Sequence, residues 1–262
     1  MQGYNEEDMV MGDRKTGQLS RDQILRLVLT ALFAAICFVV IWLKIPIGEQ
    51  FVHPGNAMCI LAALLLGGVP GGIAGSIGMG LFDLLFYPTS IFKTLILKFL
   101  MGLIAGLIFH YGKKRPQSRP QIGLAAASGL SLVFGLWILI TYLGKETKEL
   151  TLLMPSLFLL ILGGVLAVIL AVSLSTKKIG HVTLYAILGA TAGVAFNVAG
   201  EFVWKTVENL LYGMPFNAAV AATIVKIPAT FLNGSFSVFL AVLLYLPIRS
   251  ALQKAKLDSM LA

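Results

Sequence analysis

Eight stretches of this sequence are apolar enough, and nearly all long enough, to cross a lipid bilayer: residues 24–43, 56–68, 71–87, 92–111, 122–143, 153–175, 183–211 and 217–247. A spanning helix needs about 20 mostly apolar residues, because backbone groups in hydrocarbon must find their partners inside their own segment. The second stretch is short. It runs into Gly67-Gly68-Val69-Pro70-Gly71-Gly72, a tight turn with no room for a charged loop. The last two are long enough to lean or to project past the hydrocarbon. Of the 262 residues 58% are hydrophobic and 12% charged, about half the charge of a soluble domain. The expectation is an all-α integral membrane protein with about eight transmembrane helices. A soluble enzyme and a disordered chain are excluded.

A formal charge of +8 would suit a nucleic-acid-binding protein if the basic residues formed one patch. They alternate instead. Arg14, Lys15, Arg21 and Arg26, then Lys113, Lys114, Arg115 and Arg119, then Lys177 and Lys178, then Arg249, Lys254 and Lys256 all fall on one set of segment ends. The opposite ends hold Lys44, Lys93, Lys145, Lys148 and Lys205, with Glu49, Glu146, Glu149 and Glu208 nearby. Loops rich in Lys and Arg stay in the cytoplasm. The reading is a multi-pass plasma-membrane protein with both termini cytoplasmic and no nucleic-acid partner. The first apolar run begins only at Ile24, after a polar stretch, which does not fit a cleavable signal peptide. Cys37 and Cys59 lie within apolar runs and read as small inert hydrophobes.

A charge at the bilayer centre costs about 2.5–3.5 kcal/mol, so ionisable residues inside membrane segments are functional candidates. Here they are Asp83, Lys98, Glu201, Lys205 and Lys226. Asp83 and Glu201 come late in segments that run outward, whereas Lys98 and Lys226 come early in segments that run back. All five therefore belong to the outer half of the membrane. Asn197, Glu201, Trp204 and Glu208 share one helical stripe, and Lys226 shares a face with Thr223, Thr230 and Asn233. Two polar stripes with an indole between them suit a small, polar, partly aromatic solute. The competing reading makes Asp83–Lys98 and Glu201–Lys226 structural ion pairs between helices.

Small residues recur at four-residue spacing: Ala31/Ala35, Gly67/Gly71/Gly75, Gly102/Gly106 and Gly189/Gly193. Such steps let helices approach closely in lipid. Gly71 to Gly78 has the look of a dinucleotide-binding loop, but it follows no strand and lies in a hydrophobic helix. No Gly-rich loop with Lys-Ser/Thr for ATP is present, and His53, His110 and His181 have no metal-ligand spacing. Ser76 and Ser235 have no histidine partner deep in the membrane. Catalysis, a cofactor and a metal site are therefore not expected.

Several stretches, taken in order, resemble a known family. They are Thr30-Ala31-Leu32-Phe33-Ala34-Ala35, Gly55-Asn56-Ala57, Leu65-Leu66-Gly67-Gly68-Val69-Pro70-Gly71-Gly72 and Gly78-Met79-Gly80-Leu81-Phe82-Asp83-Leu84-Leu85. They continue with Pro88-Thr89, Lys98 to Gly106, Gly213-Met214-Pro215-Phe216 and Asn233-Gly234-Ser235. Residues 24–111 and 183–249 thereby resemble the substrate-binding S component of energy-coupling factor (ECF) vitamin transporters. The resemblance implies a helical membrane domain that binds a vitamin-like micronutrient near the outer surface, with the loop Lys44–Pro54 as a lid. It also implies docking, through Ala31 and Ala35, on a transmembrane T component that carries two ATPases.

The family usually has six helices, so residues 112–182, with two segments free of ionisable residues, read as an inserted basic loop and helix pair. The organisation expected is a cytoplasmic tail at 1–23, membrane core at 24–111, the insertion at 112–182, membrane core at 183–249 and a second tail at 250–262. The candidate binding residues are Asn56, Asp83, Lys98, Asn197, Glu201, Trp204, Lys226 and Asn233. Lys98 and Lys226 would meet anionic or carbonyl groups, Glu201 and Asn197 donors, and Trp204 a ring. The alternative is a self-sufficient secondary transporter of a small polar solute, coupled to protons or cations through Asp83 or Glu201.

Overall fold

The computed structural model describes residues 20–47, 50–145, 150–176 and 179–255. Arg14, Lys15, Glu49, Glu146, Lys148, Glu149, Lys177, Lys178 and Lys256, used above to assign orientation, lie outside them.

Ser20 opens the first helix. Its hydroxyl accepts from the Gln23 backbone N–H at 3.3 Å, and the Gln23 side chain accepts from the Ser20 N–H at 2.9 Å. This reciprocal cap satisfies two donors that a helix start leaves orphaned. Helix α1 spans Arg21–Val40 and ends in a 3-10 turn, Ile41–Leu43. Strands β1 (Ile45–Ile47) and β2 (Gln50–Val52) pair antiparallel, with Pro46 opposite Phe51. Helices α2 (Gly55–Leu66) and α3 (Gly68–Phe86) follow, then a 3-10 turn at Pro88–Ser90 and α4 (Ile91–Lys113). Helices α5 (Pro120–Gly144), α6 (Leu150–Thr176), α7 (His181–Leu211), α8 (Phe216–Ile224) and α9 (Ile227–Lys254) complete the described chain.

Seven of these, all but α2 and α8, are long and apolar enough to cross a membrane among the described residues. The all-α membrane architecture is therefore as expected, with three local differences. Helix α2 has 12 residues, every one buried. At 1.5 Å per residue it is about 18 Å long, short of the roughly 30 Å hydrocarbon layer, so it fills the core while its neighbours span. The expected single segment 217–247 is two helices. Pro228 lacks the N–H that would continue α8, and its ring would clash with the carbonyl of Ile224, so the chain breaks at Val225–Lys226 and restarts. The lid stretch contains a two-stranded hairpin, too short for an alternating pattern to be read from sequence.

Glycine decides how closely the helices cross. A methyl group built on Gly102 of α4 would lie 2.6 Å from the backbone nitrogen of Gly72 in α3, and one on Gly106 would strike the Gly68 backbone. On the other side of α4, a methyl on Gly193 of α7 would lie 2.6 Å from the Met101 carbonyl oxygen. Helix α4 is thus clamped between α3 and α7 at backbone contact, which the four-residue glycine steps permit. The turn between α2 and α3 is a single residue, Gly67, at φ 108°, a conformation that a side chain would strain.

The main core joins Cys37, Ile60, Met79, Met101, Phe109 and Tyr245 from five helices. Helices α5 and α6 pack on each other, with Leu160 against Gly135 and Leu132 against Gly163. They meet α7 through Leu124, Leu166 and Leu184. Val133, Trp137, Ile140, Ile161 and Val168 of this pair are exposed, a surface that suits hydrocarbon.

Candidate functional site

A cavity of about 290 Å³ lies among the hairpin, α2, α3, α4, α7 and the α8–α9 break. Its size is at the lower edge of ligand pockets, which run to roughly 300–1,000 Å³. Each wall is a helical stripe. Met79, Phe82 and Asp83 come from α3, Lys93, Thr94 and Lys98 from α4, and Asn197, Glu201 and Lys205 from α7 at four-residue steps. Lys226, at the start of α9, together with Thr230 and Asn233, forms the fourth stripe, and Asn56 comes from the first turn of α2. Of the eight candidates named from sequence, seven line this one space. Trp204 does not.

The polar network across the cavity differs from the ion pairs considered above. Lys98, only 7% exposed, donates to Asn197 Oδ1 at 2.8 Å, and its Nζ is 3.7 Å from Glu201 Oε1. Lys93 Nζ lies 3.0 Å from the other oxygen of Glu201. One carboxylate therefore bridges two lysines from α4, and Lys226 is not its ion-pair partner in this arrangement. Asp83 accepts from the Thr94 hydroxyl rather than pairing with Lys98. Lys205 pairs with Glu208 at 2.7 Å within its own helix. Lys93, read from sequence as a residue of the outer segment ends, lies in the first turn of α4, five residues before Lys98.

The aromatic wall also comes from elsewhere. Along α7 the lined positions advance by fours, Asn197–Glu201–Lys205, and this row leaves Trp204 half-buried to one side. Phe51 of β2, Phe82 of α3 and Tyr87 after α3 supply the rings. Lys44 stands among them, 4.7 Å from the Phe51 centroid, 5.4 Å from Phe82 and 5.3 Å from Tyr87, and donates to the Tyr87 hydroxyl at 3.1 Å. Cation–π contacts of this kind hold a lysine against aromatic faces. No sequence signal picks these rings out, since single aromatics are common in apolar runs.

The far end of the hairpin is tied down as well. The His53 N–H donates to Asn233 Oδ1 at 3.0 Å, and His53 Nδ1 accepts from the Gly55 N–H at 3.2 Å. Burial, then the nearby positive charge of Lys98, with Glu201 opposing and Lys44 adding a smaller push, lowers the imidazole from 6.5 to about 4. His53 is therefore neutral at pH 7. Asn56 is 3% exposed, and its Oδ1 finds no hydrogen-bond partner among the described residues. A buried acceptor left unpaired costs about 1–3 kcal/mol. Among the described residues no group of three His, Cys, Asp or Glu side chains is placed to hold a metal ion. Ala31 and Ala35 are both exposed, on the outer face of α1 beside Val28 and Leu32.

No solved structure matches this chain. An uncharacterised protein from Pyrococcus woesei, described as lying in the gap 3′ region, is 36% identical over 64 residues, which cover 24% of this chain and 43% of that protein. The chain thus matches less than half the length of that relative. Residues 21–177 match the family model for the S component of ECF-type riboflavin transporters, a match that runs through the α5–α6 pair and stops before α7. With more than half of its residues matched, this all-α, multi-pass membrane protein belongs to the ECF-type riboflavin transporter S-component family.

Proposed function

We propose that this protein captures a vitamin of the flavin type outside the cell and hands it inward as the binding subunit of an ECF importer. The observation that carries the reading is the convergence of Asn56, Asp83, Lys98, Asn197, Glu201, Lys226 and Asn233, from five helices, on one cavity roofed by the hairpin. Intramembrane polar residues of this kind are costly unless they serve a ligand or each other. A flat heteroaromatic ring would lie against Phe51, Phe82 and Tyr87, with its polar edges toward Lys98, Asn197 and Glu201. The Lys44–Pro54 segment acts as the lid, anchored by Lys44 to Tyr87 and by His53 to Asn233. Both termini are cytoplasmic in this reading. The exposed Ala31–Ala35 step is where the T component, carrying its two ATPases, would dock. The bridging of Glu201 by Lys93 and Lys98 weighs against a self-sufficient carrier, because that carboxylate is committed to two lysines rather than open to a transported ion.

The test is to purify the chain in detergent from cells grown on rich medium and analyse what it releases on denaturation by mass spectrometry. Stoichiometric flavin is the expected result. An empty protein whose melting temperature no flavin shifts would refute the reading. Uptake by vesicles holding this chain alone, collapsed by an ionophore, would establish the carrier instead.

A further inference from the structure

A second group of cations lies at the other end of α4 from the cavity, in the loop to α5. Between Asp83 and Glu146 the sequence has no carboxylate, yet residues 113–119 read Lys-Lys-Arg-Pro-Gln-Ser-Arg. Lys114, Arg115 and Arg119 are exposed, and none of them joins an ion pair among the described residues. The bias of cytoplasmic loops toward Lys and Arg accounts for where such charges fall. It does not account for a loop that is tied down.

The Arg115 N–H donates to the Gly112 carbonyl at 3.0 Å, and the Ser118 N–H to the Arg115 carbonyl at 2.9 Å. From α7, the Tyr185 hydroxyl donates to Ser118 Oγ at 2.9 Å, and His181 Nε2 lies 3.2 Å from the Ser118 carbonyl oxygen. Gly112 itself leaves no room for a side chain against the Tyr185 ring. The loop is therefore folded before any ligand arrives, which lowers the ordering cost of binding.

Its place relative to lipid is set as well. Phe92, Ile96, Leu107 and Tyr111 are the large apolar residues that α4 exposes, one row at helical spacing that faces hydrocarbon. Arg115 continues this row. Its guanidinium carbon lies 4.2 Å from the Tyr111 ring centroid, and one nitrogen donates to the Tyr111 hydroxyl at 2.5 Å. A tyrosine and an arginine that end a lipid-facing row sit at headgroup depth, and most of the guanidinium donors stay open to an acceptor. Helices α4 and α5 pack on α7 rather than on each other, so a seam runs up from the loop, with exposed Ile122 on its far side.

We propose that this corner binds an anionic phospholipid, with Arg115 and Arg119 on its phosphate, Lys114 beside them and an acyl chain in the seam between α4 and α5. Basic pockets between membrane helices take anionic headgroups in this way. A headgroup that carries its own amine leaves these cations less compensated. The site is separate from the solute cavity and requires only that the chain cross a bilayer, so its failure leaves the flavin reading untouched.

The experiment titrates the delipidated full chain in neutral detergent with dioleoyl phosphatidylglycerol or dioleoyl phosphatidylcholine and counts bound lipid by native mass spectrometry. Phosphatidylglycerol is expected to bind at least about tenfold tighter, and Arg115→Gln and Arg119→Gln should each remove about fivefold of that preference. Arg21→Gln combined with Lys254→Gln, exposed cations at other helix ends, should leave it unchanged. No preference in the native chain overturns the proposal, as does an equal loss in the Arg21/Lys254 variant, which would mean diffuse charge attraction. Displacement of the lipid by inorganic phosphate alone at millimolar concentration would make this a free-anion site and overturns the lipid assignment. Should either arginine variant fail to purify, Lys114→Gln carries the same comparison, with a several-fold loss of preference expected and no loss counting against the site.

Discussion

Replacing Asn56 by leucine should move stability and binding in opposite directions. Leucine has the same number and branching of side-chain heavy atoms as asparagine, so the substitution changes polarity at nearly constant shape. The native side chain is 3% exposed with its Oδ1 unpartnered, and an orphaned buried acceptor costs about 1–3 kcal/mol. Allowing for imperfect repacking around the new methyl groups, Asn56→Leu should stabilise the empty protein by about 1–2 kcal/mol. For a chain of this size that raises the melting temperature by roughly 2–8 °C. The bound state reverses the sign. A solute that donates to Oδ1 in the native protein meets a methyl group in the variant and loses a bond worth about 1–3 kcal/mol, or roughly 5- to 150-fold in affinity. The assay is thermal unfolding in detergent, with and without the ligand that the native protein retains. A variant that melts lower when empty, or one that binds as well as the native protein, would refute the argument.

The His53 shift carries a pH dependence. Its folded value of about 4 lies below 6.5, so the unfolded chain binds the proton first and stability rises with pH. Up to about 3 kcal/mol, fully present above pH 6.5, should be lost as pH falls toward 4, and His53→Gln should flatten that part of the melting-temperature profile. Trp204→Ala should leave solute affinity within about twofold, whereas Phe82→Ala, which strips a 2% exposed ring from the cavity wall, should weaken solute binding by about 0.5–1.5 kcal/mol besides costing about 3 kcal/mol of stability; equal losses of affinity, measured by ligand titration, would mean that the aromatic wall is misplaced. Gly102→Val should force α3 and α4 apart and destabilise by about 1–3 kcal/mol, while Gly129→Val, with nothing within 4 Å of the added carbon, should be near neutral by comparison of melting temperatures. Ala31→Trp combined with Ala35→Trp should keep solute binding yet abolish co-purification with a T component; intact co-purification would move the docking face elsewhere.

The membrane class, the approximate limits of most of the helices and the short list of polar residues follow from the sequence, because hydropathy over about 20 residues and the cost of intramembrane charge are properties of segments taken singly. The glycine steps likewise announced close helix contacts, though not that Gly102 and Gly106 would meet Gly72 and Gly68. Pairings between segments were not legible. Glu201 chose Lys93 and Lys98 over Lys226 because α4 and α7 lie at backbone contact, a fact that depends on where Gly193 sits against Met101.

The aromatic wall was hidden for the same reason. Phe51, Phe82 and Tyr87 come from three different elements, and only the hairpin, whose three-residue strands are too short to leave a period, brings Phe51 to Tyr87 and Lys44. Trp204 shows the converse: a helical stripe drawn from sequence gives a direction, while the surface of the neighbouring helices decides which side of that stripe borders the empty space. Sequence thus determined which residues must be buried in lipid or paired; the tertiary packing decided with whom, because pairing depends on distances between segments that no single segment encodes.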